Sequence, residues 1–429
     1  MIIVDTALRQ RAAEGRPIRV GLCGIGFMGK GIVNQILNYV PGMTLAAIIN
    51  RTPEHAASCL TELGTTSFEE VGSAAALNDC VARGHIAITG DPRIACESGC
   101  LDVLVEATGA IEYGAVVSML AIEHGIPLIL MNAEIDSTVG PLLKKKADEK
   151  GSIVTGCDGD QPAVQLNLCR FVQSIGLTPR VCGNIKGLQD HYRNPTTQEG
   201  FARQWGQSPS MVTSFADGTK ISFEQAIVAN ATGMKVAQRG MTGWEYKGHV
   251  DDLVKRYDLD QLRELGGVVD YVVGAQPSPG VYVFAECHDK HQAHYLNYGK
   301  LGEGPLYSFY VPYHLTIFEV PISIARVALF KDDIISATHG PMVDVVATAK
   351  IDLKAGDVLD GLGEYKTYGV CENSAVVHND RLLPMGIAEG CTLKRDIARD
   401  AVITYDDVEL PKNSLAVKLR LEQDQVFFG

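Results

Sequence analysis

The stretch "IRVGLCGIGFMGKGIVNQILNYV", residues 18–40, sets the fold. Ile18, Val20 and Leu22 read as a buried strand, and Ile32, Val33, Ile36 and Leu37 fall on one face of a helix. Between them lies Gly24-x-Gly26-x-x-Gly29. Strand, glycine turn and helix in that order let the backbone turn tightly, approach a pyrophosphate closely and aim a helix N-terminus at it. The stretch therefore predicts a dinucleotide site, with Gly24, Gly26, Phe27, Met28 and Gly29 forming the phosphate turn.

Outward from this stretch, apolar strand-like runs alternate with helical patterns as far as residue 157, the pattern of a doubly wound parallel sheet. "MTLAAIIN" is its second strand; "LDVLVEATG" and "IPLILMNAE" are later ones, with the helical "YGAVVSMLAIEHG" between them. A further helix is expected at Asp5–Glu14. After "TGCDGDQP" the composition changes to polar strings mixed with aromatics, and near residue 345 to short β-rich runs punctuated by Gly, Pro and Asp. The expected fold class is α/β. A Rossmann domain occupies 1–157, an α+β substrate and dimerisation domain 158–344, and a small, mostly β domain 345–429. In the middle segment "RVCGNIKG" and "GVYVFAEC" read as strands and "SFEQAIVANATGMKVA" as a helix.

The residue types at strand ends point to chemistry. NAD-preferring folds place an acid after the second strand to hold the ribose 2′-hydroxyl, whereas this chain offers Asn50 and Arg51, which suit the 2′-phosphate of NADPH. Thr108 and Gly109 end a later strand and are expected on the nicotinamide side; Glu106 beside them is either a paired structural carboxylate or a group near the cofactor. Asn132 and Glu134 close the next strand at the same edge.

Lys186, between the apolar "RVCGNI" and the polar "LQDHYRN", is the leading catalytic candidate, because burial would ready its amine for proton transfer. Glu134 and Asp190 are the further candidate acids. His191, Arg193 and Lys220, with Glu224, are candidate substrate contacts able to clamp a phosphate or carboxylate. Asp158 and Asp160, with Asp190 and Glu224, are oxygen donors of the kind Mn²⁺ or Mg²⁺ takes, against the reading that the first pair only shapes a turn. Tyr313 and His314 are weaker candidates.

Composition excludes several classes. Of 429 residues, 46% are apolar and 21% charged, the balance of a globular protein, and no apolar run is long enough to cross a bilayer. The expected address is the cytoplasm, where the eleven cysteines are reduced packing thiols. A net charge of −13 argues against nucleic acid as partner.

The strings "GIGFMG", "EATG", "MNAEIDSTVGPLL", "TGCDGDQP", "NIKGLQDHYRNPTTQEGFA", "SFADGTKISFEQAIVANATGM" and "FYVPYHL" resemble NAD(P)-dependent oxidoreductases that join a homoserine-dehydrogenase-like N-terminal half to a C-terminal SAF, or antifreeze-like, domain. The likeness extends to their 1-deoxy-D-xylulose 5-phosphate reductoisomerase-like (DRL) branch. It implies an NADPH-dependent homodimer that converts 1-deoxy-D-xylulose 5-phosphate to 2-C-methyl-D-erythritol 4-phosphate with a divalent cation. Homoserine dehydrogenases usually carry a lysine where Ala133 follows Asn132, which argues against homoserine as substrate. The rival readings are an alcohol or sugar dehydrogenase on the same scaffold, and a dinucleotide sensor without turnover.

Overall fold

A computed structural model describes residues 4–429 of the protein. Its chain forms two compact units, the first made of the N-terminal stretch to Asp136 with Leu142–Asp160 and Leu315–Ser336, the second of Ser137–Pro141, Gln161–His314 and Ala337–Gly429. This division cuts across the three consecutive segments drawn from sequence. Residues 315–336 return to the first unit, and the C-terminal residues lie within the second.

The first unit is built on seven parallel strands: β1 (Ile18–Cys23), β2 (Met43–Ile49), β3 (Phe68–Glu70), β4 (Ile86–Thr89), β5 (Val103–Glu106), β6 (Leu128–Leu130) and β7 (Val154–Gly156), in the order 3-4-2-1-5-6-7. β1 pairs with β2 on one side and β5 on the other, so the connections reverse there and open a crevice at the strands' carboxyl ends. Every residue of β5 and β6 is buried, as in a sheet covered on both faces. The helix Phe27–Asn38 buries Ile32, Val33 and Ile36, each contributing about 1.5–3 kcal/mol. The expected N-terminal helix is Val4–Ala13.

A mixed sheet of β8 (Thr178–Lys186), β9 (Trp244–Glu245), β10 (Val268–Val273), β11 (Gly280–Glu286) and β12 (Leu306–Val311), in the order 12-11-8-10-9, forms the frame of the second unit. Val181, Ile185, Val268, Val272, Tyr282 and Phe284 pack its core. The helix read from "SFEQAIVANATGMKVA" runs from Thr219 to Thr232; it starts earlier and stops sooner because Gly233 takes the left-handed C-cap at φ +77°. This helix is buried almost throughout, and its polar side chains bond backbone around it. Gln225 donates to the Asp270 carbonyl at 2.6 Å, and Asn230 Oδ1 accepts the amides of Met342 and Val343.

In the C-terminal region β13 (Val343–Ala349) pairs with β14 (Thr367–Asn373), and the two-residue strands β15 (Thr392–Leu393) and β16 (Val408–Glu409) pair with each other. Here the β-rich reading of "ITYDDVELPKNSLAVKLRL" is corrected. The run from Leu415 to Phe428 is a helix, capped by Ser414 Oγ, which accepts the Val417 amide at 3.1 Å. Arg420 anchors that helix: fully buried, it pairs with Asp344 and Asp424 and donates to the Thr138 carbonyl. All eleven cysteines are buried and none is in a disulfide, and no helix among the described residues is long and apolar enough to cross a membrane.

Candidate active site

The phosphate turn is shaped by what its glycines lack. Gly24 has φ +96° and lies against the Ala107 backbone, where a Cβ would approach to 3.0 Å; a Cβ on Gly29 would sit 2.1 Å from the Gly24 carbonyl oxygen. Gly26 is exposed, with nothing within 4 Å of where its Cβ would be. It is also the N-cap of the helix Phe27–Asn38, and no side chain caps that terminus. The first-turn amides and the open approach over Gly26 fit a pyrophosphate. Phe27 is exposed and Met28 partly so, both on this first turn.

Asn50 follows β2 and is committed to the backbone around it. Its Oδ1 accepts the Ile25 amide at 3.3 Å and its Nδ2 donates to the Thr52 carbonyl at 2.7 Å, tying the turn to the strand end. Arg51 beside it is exposed. Glu106 is fully buried and accepts both the amide and the hydroxyl of Thr108; burial raises its pKa, and the Thr108 bonds oppose that rise. Its carboxylate thus holds the strand end that carries Thr108 and Gly109. Asn132 caps the helix Ala133–Glu149 through Oδ1 to the Ile135 amide, and its Nδ2 reaches the Ala110 carbonyl at 3.2 Å. Glu134 is buried in that helix's first turn.

Of the expected metal ligands, Asp158 and Asp160 belong to the first unit and Asp190 and Glu224 to the second. Asp158 Oδ1 accepts from Arg326 at 2.6 Å, its Oδ2 accepts the Ser323 hydroxyl at 3.0 Å, and its amide donates to that same Ser323 oxygen. Among the described residues no group of three or more His, Cys, Asp or Glu is arranged to hold a metal ion. Asp160 acts instead on Asp136, a residue not singled out from the sequence, whose carboxyl is pushed up to about 7 by burial and then by Asp160's charge.

Within the second unit the polar strings do come together. Lys186, the last residue of β8, donates from Nζ to the Phe215 carbonyl at 2.7 Å. Burial lowers its pKa to about 8, against the pull of Glu224 and Asp217. Glu224, also buried, accepts from Asn184 at 3.1 Å. Asp190 closes the following loop by accepting from Arg193 Nε and from the Tyr192 amide. His191 Nδ1 donates to the Asp217 carbonyl over 2.7 Å, and the ring stacks on Tyr368, with ring centroids 4.5 Å apart. Lys220 is partly buried at the start of the helix Thr219–Thr232. Tyr313 is exposed, and His314 lies 3.2 Å from Gln161 Nε2.

Two buried residues here escaped sequence reasoning. Asp217 is paired with Lys350 at 2.9 Å, and both are almost wholly inaccessible to solvent. The one signal in the sequence was an Asp-Gly turn; only the fold makes it a site for a buried charge.

Residues 159–320 match the family model described as "Oxidoreductase DRL, catalytic domain". No curated protein matches the sequence. Among solved structures, a probable dehydrogenase from Thermotoga maritima is 11% identical, covering 62% of this chain and 72% of that one, at a TM-score of 0.37. A myo-inositol dehydrogenase from Corynebacterium glutamicum is 13% identical over 63% and 72% of the two chains, at 0.36. These likenesses are too distant to bear on the chemistry.

Proposed function

We propose that this protein is an NADPH-dependent oxidoreductase acting on a small, polar, phosphorylated carbonyl compound, with Lys186 as its proton donor. The observation that carries this reading is the Lys186 ammonium: it stands at a strand end inside the matched segment, held by one carbonyl and with its pKa brought down to about 8. An amine so poised can give up a proton near neutral pH, which an ordinary lysine does poorly.

NADPH would be held by the turn Gly24–Gly29 and the helix amides behind it, with Arg51 on the 2′-phosphate and Thr108 and Gly109 near the nicotinamide. Bound there, it supplies the hydride that reduces the carbonyl carbon. The residues of the second unit do the rest. His191, Arg193 and Lys220 hold the substrate's anionic group, and Glu224 and Asp190 order the polar lining. Lys186 passes one proton to the carbonyl oxygen as negative charge develops on it. Glu134 is assigned to the acid–base set on the cofactor side.

The substrate we assign is 1-deoxy-D-xylulose 5-phosphate, rearranged and reduced to 2-C-methyl-D-erythritol 4-phosphate; the DRL match of residues 159–320 supports it. Reduction without rearrangement is the second reading, favoured by Asp158 being committed to Arg326 and Ser323 rather than open to a chelating metal. The deciding experiment is to incubate the purified protein with NADPH and this substrate, with and without Mn²⁺, and identify the product by mass and NMR. The branched tetrol phosphate supports the first reading and an unbranched alcohol the second. NADPH binding with no product from any carbonyl phosphate would make the protein a sensor.

Cofactor choice has its own test. Replacing Arg51 by Asp removes a charge-assisted contact with the 2′-phosphate, so NADPH affinity should fall by about 1.5–3 kcal/mol while NADH affinity holds or rises. Equal NADPH affinity in the two proteins would overturn the assignment.

A further inference from the structure

We propose that the buried pair Asp217–Lys350 positions Lys186, so that the site is incomplete without the C-terminal segment that contributes Lys350. The inference rests on the proton-donor reading of Lys186 for its function, and on the geometry for everything else.

An ammonium has three protons to donate, and Lys350 places all three on fixed partners: Asp217 Oδ2 at 2.9 Å, the Arg193 carbonyl at 2.8 Å and the Glu364 carbonyl at 2.8 Å. Two of these partners frame Lys186. Asp217 lies two residues after Phe215, whose carbonyl holds the Lys186 ammonium, and Arg193 ends the loop that leaves β8. Asp217 extends the brace. Its Oδ1 accepts the Thr219 amide at 2.9 Å, and its carbonyl meets His191. The neighbouring Ala216 carbonyl accepts the Asp190 amide at 2.8 Å. One ion pair therefore ties together the Phe215–Thr219 turn, both ends of the Asp190–Arg193 loop and the residues around Glu364.

Stability alone is a poor reason for such a pair. Desolvating two charges costs about as much as their attraction returns, and an apolar pair of equal volume often serves as well. What an apolar pair cannot do is fix three carbonyl and carboxylate oxygens at once. It also could not set the charge that Lys186 faces. The charged groups facing Lys186 are Glu224, from the helix Thr219–Thr232, and Asp217, from the turn before it; Lys350 lies behind Asp217.

The experiment measures Lys186 directly, independent of turnover, by pH-dependent acylation of the full-length protein with acetic anhydride and mass-spectrometric quantification of the Lys186 peptide. In the wild type the midpoint should fall near 8. Asp217→Asn removes a negative charge facing the ammonium, so the midpoint should drop by about one pH unit. Should that variant not fold, Asp217→Asn combined with Lys350→Met strands no buried charge and should shift the midpoint the same way. In either variant kcat should fall about 10–100-fold with NADPH affinity unchanged. A folded variant with the wild-type Lys186 midpoint and kcat would overturn the proposal. A shifted midpoint in a protein that turns over no carbonyl substrate would instead uphold the brace and remove the oxidoreductase reading.

Discussion

Lys186→Met is expected to give a folded protein that binds NADPH as the wild type does and turns over about 10²–10⁴-fold more slowly, the loss expected when a positioned acid is removed. Methionine keeps much of the stem while deleting the donor, and Phe215, whose carbonyl loses its partner, is itself exposed. The help given by an ammonium aimed at a developing oxyanion is concentrated in the transition state, so kcat falls and the cofactor's Kd does not. The sign with pH follows from the same group. A lysine is an acid only while protonated, so wild-type kcat should decline as pH rises through about 8, and the residual rate of the variant should lack that limb. A variant with normal kcat and a raised KM would make Lys186 a substrate anchor instead. Single-turnover measurements keep slow product release from hiding the effect.

Gly29→Ala is expected to reduce NADPH affinity by at least about 100-fold, equivalent to about 2.7 kcal/mol. The added methyl would lie 2.1 Å from the Gly24 carbonyl oxygen, and Gly24 cannot retreat, being in a left-handed conformation with its own Cβ position only 3.0 Å from the Ala107 backbone. The turn must open, at a cost to stability of about 1–3 kcal/mol, the range for overpacking a filled space. Gly26→Ala provides the contrast. Its methyl meets nothing within 4 Å, so the melting temperature should hardly change, yet it occupies the approach that the pyrophosphate needs. Calorimetric titration with NADPH, read beside thermal unfolding, separates the two effects. Wild-type affinity in Gly26→Ala would remove the phosphate from this turn.

The sequence by itself determined the parallel sheet of the first unit, because its signals are local. A strand, a glycine turn and an apolar-faced helix each show their periodicity within about a dozen residues, and the parallel sheet around β1 followed from repeating that pattern. It also placed Lys186 at the end of an apolar strand, as the structure has it, because a lysine closing such a run stands out without any knowledge of its neighbours. Local signals failed where two periods agree. "SLAVKLRL" alternates like a strand and also places Ala416, Val417, Leu419 and Arg420 where a helix can bury them; the Ser414 cap and the distant Asp344 carboxylate favour the helix. Tertiary structure alone decided which charges meet. Asp158 and Asp160 read as oxygen donors; in the fold Asp158 is paired with Arg326, 168 residues further on, and burial, together with the charge of Asp160, raises the pKa of Asp136. Asp217 and Lys350, separated by 133 residues, carried no signal of pairing in the sequence, and in the fold they form a buried ion pair. The energy of a charge depends on its burial and on the opposite charge within a few ångströms of it, and neither is written in the residues beside it along the chain.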